Sequence, residues 1–152
     1  MITVFAARKI SLVAMIDDLQ FQMDLLSQKQ INMTSVSMTI ADGQISPDEI
    51  QQANYYTRNG IASAINFGNA LSQQSMMMGQ GPMVYRNPSN PNIISIHDKA
   101  KEQMQAQLAA QEKVLELQMK QLETKLHLYE KQLESVEKGE DKAVERSAPK
   151  YA

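Results

Sequence analysis

Residues 108–136 read LAAQEKVLELQMKQLETKLHLYEKQLESV. An apolar side chain recurs at every seventh position of this stretch, and other apolar side chains fill the alternate positions. The repeat consists of Leu108, Leu115, Leu122, Tyr129 and Val136, with Met119, Leu126 and Leu133 between them. A helix with this spacing carries one continuous apolar stripe. Because a lone helix cannot bury such a stripe, the segment predicts a long coiled-coil helix that packs against other helices.

The N-terminal part of the chain carries a second repeat of the same kind. Its members recur at sevens and are Leu12, Leu19, Leu26, Met33 and Ile40. They predict a first helix over about 4–41, while Ser95 as a cap and Gly139 as a stop predict the coiled-coil helix over 95–138. At ~1.5 Å per residue both helices are roughly 60 Å long, so we expect them to be partners.

The apolar face of the first helix is broader than packing against one partner helix requires. Additional apolar residues lie beside the repeat, namely Phe5, Val13, Met15, Phe21 and Leu25. On the C-terminal helix, Val114, Leu117 and Leu128 likewise lie off the main stripe. This breadth favours a bundle in which each helix contacts at least two neighbours, and self-association is the simplest way to cover it.

A second helix is predicted over 47–74. Asp42-Gly43 ends the first helix, and Ser46, Pro47 and Glu49 form a capping signal for the next one. Since the connection is short, residues 1–74 should form an antiparallel helical hairpin.

Small residues mark the interior of this second helix. Gly60, Ala64 and Gly68 are spaced four apart and therefore share one face. Each glycine costs a helix ~1 kcal/mol of propensity, so a close helix contact is the expected reason for keeping it.

Residues 75–94 contain three prolines and two glycines and predict an irregular loop. Its apolar side chains form a candidate docking surface or a cap on the end of the bundle, and they are Met76, Met77, Met78, Met83 and Tyr85. After Gly139, residues 139–152 mix charges with a proline and predict a disordered charged tail.

Composition excludes several classes of function. Fifteen basic and seventeen acidic residues give a net charge of −2 without a basic cluster, so nucleic acid is not expected as a partner. Cysteine is absent. No run reaches the ~18–20 apolar residues that span a bilayer, and no Sec signal pattern precedes the first helix. These features disfavour a membrane role, and we expect the location to be cytoplasmic or reached by a signal-less export route.

Reactive side chains do not form a recognisable constellation. His97 and His127 lie thirty residues apart without accompanying ligands, and the adjacent Asp17 and Asp18 point in different directions on a helix. Gly79-Gln80-Gly81 lacks the strand and lysine of a phosphate-binding loop. The sequence therefore predicts no catalytic, cofactor or metal site and no small-molecule substrate.

Together these patterns predict an all-α fold, an elongated bundle made of a helical hairpin and a long C-terminal coiled-coil helix. Such an arrangement of long terminal helices resembles, in architecture, the helical filament proteins exported by type III secretion and flagellar systems. The expected function is a non-enzymatic, self-assembling structural subunit of a filament, a secretion-type appendage or a viral particle. The alternative is a cytoplasmic helical adaptor or export chaperone that binds a client. The expected partner is the protein itself or another helical protein.

Overall fold

The computed structural model describes residues 2–147. Four helices and three short strands follow one another along the chain. They are α1 (Ile2–Ile40), β1 (Gln44–Ile45), α2 (Pro47–Gln52), α3 (Tyr55–Met77), β2 (Val84–Arg86), β3 (Ile94–Ile96) and α4 (Asp98–Ser147). Helices account for most of these residues, which confirms the predicted all-α fold class.

The turn between α1 and α2 forms as its sequence indicates. Gly43 has a φ of 77°, a value that side-chain-bearing residues rarely adopt, and its N–H donates to the carbonyl of Ile40 at 3.0 Å. Ser46 then caps α2, because its hydroxyl accepts from the N–H of Glu49 at 3.3 Å.

The single helix predicted over 47–74 is wrong in one respect, because the chain breaks it at residues 53–54. Ala53 is extended, and Asn54 starts α3 by accepting from the N–H of Thr57 at 2.8 Å. The guanidinium of Arg58 donates to the carbonyl groups of Ala53 and Gln51, which α2 leaves without helical partners. A capping side chain and a cation at these positions make the break favourable.

The loop predicted over 75–94 is only partly irregular. Helix α3 continues to Met77, and β2 and β3 join β1 in an antiparallel sheet of order β1-β3-β2. The hydroxyl of Ser72 accepts from the N–H groups of both Met83 and Val84 at 2.8 Å, which holds the start of β2 against α3. Strands of two or three residues are too short to show a period, so sequence patterning missed them.

Helix α4 starts later and ends later than 95–138. Ser95 lies in β3 and does not cap the helix, whereas the Nδ1 atom of His97 accepts from the N–H of Lys99 at 3.2 Å. Gly139 does not stop the helix, because residues 140–147 continue it with good helix formers and no proline. The predicted disordered tail is therefore wrong for 139–147, and 148–152 lie outside the described residues.

The chain divides into two units. The two-helix unit comprises the described parts of 1–27 and 116–152, and the sheet unit comprises 28–115. The sheet unit has the larger apolar core, where parts of α1, α3 and α4 pack with Ile45 of β1 and Ile96 of β3. Its buried members are Val36, Ile40, Ile45, Ile61, Ala64, Ile96, Ala100 and Met104, and Leu108 packs against them half-buried.

Two of the small residues of α3 lie where neighbours approach closely. A Cβ atom on Gly60 would be 2.6 Å from Cγ2 of Val36, and one on Gly68 would overlap Cγ2 of Val84. Ala64 lies between them in the core. The absence of a side chain at Gly60 thus leaves space for α1, and its absence at Gly68, two turns later, leaves space for β2.

Gly68→Ala should lower the free energy of unfolding by about 1 kcal/mol, because the clash with the stiff Val84 side chain outweighs the helix propensity of alanine. In a Val84→Ala background the same change should raise it, since the remaining Cβ atom of residue 84 is 3.7 Å away. Urea denaturation of the four proteins measures both effects. Gly81→Ala is the control, because a Cβ atom there would have no neighbour within 4 Å. Equal effects of Gly68→Ala in the wild-type and Val84→Ala backgrounds would contradict this packing.

Candidate functional site

The two-helix unit is held by antiparallel contacts between the start of α1 and the end of α4. Arg8 donates to the side-chain oxygen of Gln132 at 3.1 Å, and the ammonium of Lys9 lies 3.9 Å from a carboxylate oxygen of Glu137. A Cβ atom on Gly139 would lie 3.0 Å from the ring of Phe5, so the glycine leaves room for that ring. In this unit the long stripe of α4 is therefore covered by helix α1 of the same chain.

The predicted interface residues lie along this seam or in the sheet unit. On α1, Leu12, Leu19 and Leu26 are buried. On α4 the seam residues are half-buried, and they are Met119, Leu122, Leu126, Tyr129, Leu133 and Val136. Met33, Leu108 and Leu115 lie in the sheet unit, where Leu115 is buried and the other two are half-buried.

The outer face of α1, opposite its seam, is also apolar. Ile10, Phe21 and Leu25 are 72, 61 and 49 % exposed, and their spacing places them on one side of the helix. Asp17 and Asp18 lie on the same face and are exposed. This face therefore combines large apolar side chains with negative charge.

The outer face of α4 is the counterpart. Leu117 and Leu128 are 62 and 53 % exposed and lie opposite the seam of their helix. Exposed lysines share this side at intervals of eleven residues, which is about three helical turns. They are Lys120, Lys131 and Lys142. This second face combines apolar side chains with positive charge.

Sequence reasoning found part of these two surfaces. The breadth of the apolar pattern had marked Phe21, Leu25, Leu117 and Leu128, but Ile10 and the opposite charges of the two faces were missed. A helical wheel of each helix places the aspartates on the outer face of α1 and the lysines on the outer face of α4. It would have shown the opposite charges of the two faces.

The methionine run belongs to the sheet unit and lies at the end of α3. Met76, Met77 and Met78 are well exposed. Met83 does not share that surface, since it is half-buried against the core of the sheet unit, and Tyr85 lies partly exposed on β2. The candidate docking surface of the loop is therefore reduced to three consecutive methionines.

A groove of about 360 Å³ lies in the sheet unit, between residues of α1, α3 and α4. Met33, Tyr56, Phe67 and Leu108 give its lining an apolar character. Lys29 is the one cationic side chain on its edge among the residues that the structure describes.

Glu134 and Lys138 form an ion pair along one side of α4. The hydrogen bond from Lys138, 3.0 Å away, together with its charge, lowers the pKa of the exposed Glu134 carboxyl. Within residues 2–147, no three His, Asp or Glu side chains come together as a metal site would require. No helix in that range combines the length and the apolar character needed to cross a membrane.

Comparison with known proteins found no matching family model, no matching curated protein and no matching solved structure.

Proposed function

We propose that this protein is a non-enzymatic, self-assembling structural subunit, of the kind that builds a filament, an appendage or a particle. The observation that supports the proposal most directly is the exposure of Ile10, Phe21, Leu117 and Leu128 on the outer sides of the two-helix unit. Each of its helices is already packed on one side, so only helices from outside the unit could cover these side chains.

Single exposed apolar residues are common on protein surfaces and need no partner. Here they recur at helical spacing along a face, which is the pattern of a helix with neighbours on two sides. Full burial of one such side chain contributes roughly 1.5–3 kcal/mol, and several of them are available in each copy. Association on both faces would repeat this gain at every copy added.

The wild-type protein is expected to grow into large particles as its concentration rises. Light scattering across a concentration series measures the mass, and negative-stain imaging shows the particles. Phe21→Asp with Leu25→Asp should stop growth without loss of helix content by circular dichroism, since both side chains are exposed in the subunit. A protein that stays monomeric at every concentration would contradict the proposal.

Ser11→Asp with Gln20→Asp is the matched control, because it adds the same two charges to α1 at exposed positions on the flanks of the outer face. This control variant should assemble as the wild type does. Loss of assembly in both variants alike would mean that added charge, and not the apolar face, is responsible.

A helical adaptor or export chaperone is the second candidate. The exposed Met76, Met77 and Met78 and the apolar groove of the sheet unit favour it, since flexible methionines suit surfaces that bind varied clients. A discrete dimer that stays monodisperse at high concentration would support this function over the structural one.

A further inference from the structure

Resting on the proposed self-assembly, we propose how copies join: the outer face of α1 in one copy packs against the outer face of α4 in a second copy. The contact is head to tail. It therefore leaves one free α1 face and one free α4 face at the ends of every oligomer that does not close into a ring.

The outer face of α1 carries uncompensated negative charge. Asp17, Asp18 and Asp24 are exposed on this face or at its border, and none of them forms an ion pair within the described residues. The basic residues of this part of α1 are Arg8 and Lys9, and both are engaged with α4 at the seam. Within the two-helix unit α1 thus has no other cation on this face to balance the aspartates; the next basic residue of the helix, the exposed Lys29, follows in the sheet unit.

The outer face of α4 carries the opposite charge. Lys120 and Lys131 each follow an exposed leucine by three residues, and neither forms an ion pair in the part of the chain that the structure describes. The glutamates that recur at sevens on this helix lie nearer the seam, where Glu137 meets Lys9. The charge of Lys131 also acts on Glu134 of the same helix, while the exposed side chains of both lysines remain accessible to the aspartates of another copy.

The apolar side chains of the two faces also match in spacing. Ile10 and Phe21 are eleven residues apart, as are Leu117 and Leu128. At ~1.5 Å per residue both pairs span the same length, so the pairs can meet in either helix direction. A parallel alignment brings Asp24 level with Lys131, and an antiparallel one brings Asp18 level with Lys120.

Pairing of like faces is disfavoured by charge. Two α1 faces would oppose aspartates to aspartates, and two α4 faces would oppose lysines to lysines, both of which repel. Unlike faces attract and bury the same apolar side chains. Because such a contact is heterologous, it closes into a ring or continues as an open polymer.

Two face-blocked variants test this arrangement. The first is Phe21→Asp with Leu25→Asp, which blocks the α1 face, and the second is Leu117→Asp with Leu128→Asp, which blocks the α4 face. Each is expected to stay monomeric alone. Mixed in equal amounts they should form a particle of twice the monomer mass and nothing larger, because one intact face of each kind remains. Analytical ultracentrifugation measures the masses.

Other outcomes identify which proposal fails. If the wild type assembles but one blocked variant dimerises alone, or the mixture stays monomeric, the head-to-tail contact is wrong while self-assembly stands. If the wild type stays monomeric at every concentration, self-assembly itself is wrong, and the head-to-tail contact with it.

Charge reversal gives a second test that leaves the apolar side chains in place. Asp17→Lys with Asp24→Lys makes both faces basic, and Lys120→Glu with Lys131→Glu makes both acidic. Each variant alone should lose assembly at low salt, and mixing them should restore growth with alternating copies. Growth of either variant alone to the wild-type extent would overturn the proposed contact.

Discussion

Replacing Ile61 with aspartate should unfold the sheet unit. Ile61 is 1 % exposed and lies in the cluster of buried residues that joins α1, α3 and α4 around the sheet. A buried carboxylate without a partner costs several kcal/mol, a large share of the ~5–15 kcal/mol that stabilises a typical domain. Amide hydrogen exchange should show loss of protection in residues 28–115.

Ile31→Asp is the matched control, because it makes the same substitution in the same unit at a side chain that is 56 % exposed. It should change the free energy of unfolding by less than about 0.5 kcal/mol, as surface substitutions commonly do. Similar protection in the two variants would show that Ile61 does not lie in a core.

Leu12→Asp combined with Leu19→Asp should separate the helices of the two-helix unit. Both leucines are buried, and each charged replacement would lose apolar burial and place a carboxylate in the seam. Helices in water need packing of their apolar faces for most of their stability. Amide protection in residues 2–27 and 116–147 should therefore fall to the level of a frayed helix, measured at low protein concentration.

The matched control places the same two charges on the other side of α1. Ile10→Asp with Phe21→Asp should leave amide protection in the dilute protein close to that of the wild type, since both side chains point away from the seam. The same control should block assembly at high concentration. Equal loss of protection in both variants would contradict the distinction between seam and outer face.

Features encoded by neighbouring residues were predictable from the sequence. The turn at Gly43 and the cap at Ser46 depend on backbone freedom and on a hydroxyl close along the chain, and both formed as expected. The failures involve distant partners. Gly139 is a residue type that commonly ends helices, yet α4 continues through it. The ring of Phe5, from the other end of the chain, lies beside this glycine.

The sheet is a second case in which distance along the chain decided the structure. Ser95 resembles a helix cap when read with its neighbours, but its backbone pairs with Gln44 and Tyr85. Those pairings join segments about ten and fifty residues apart along the chain. A strand of three residues is too short for a sequence pattern that would predict them.

By itself the sequence determined that the chain is helical, where its seams run and how its first turn is made, because these depend on periodicity and on near neighbours. Only the tertiary structure decided which residues cover each seam, since one helix face can be buried by a helix of the same chain or of another. The tertiary structure buries Leu12 and Leu19 inside the two-helix unit and leaves Ile10 and Phe21 exposed with the aspartates. These exposed outer faces are the ones for which we propose a role in assembly.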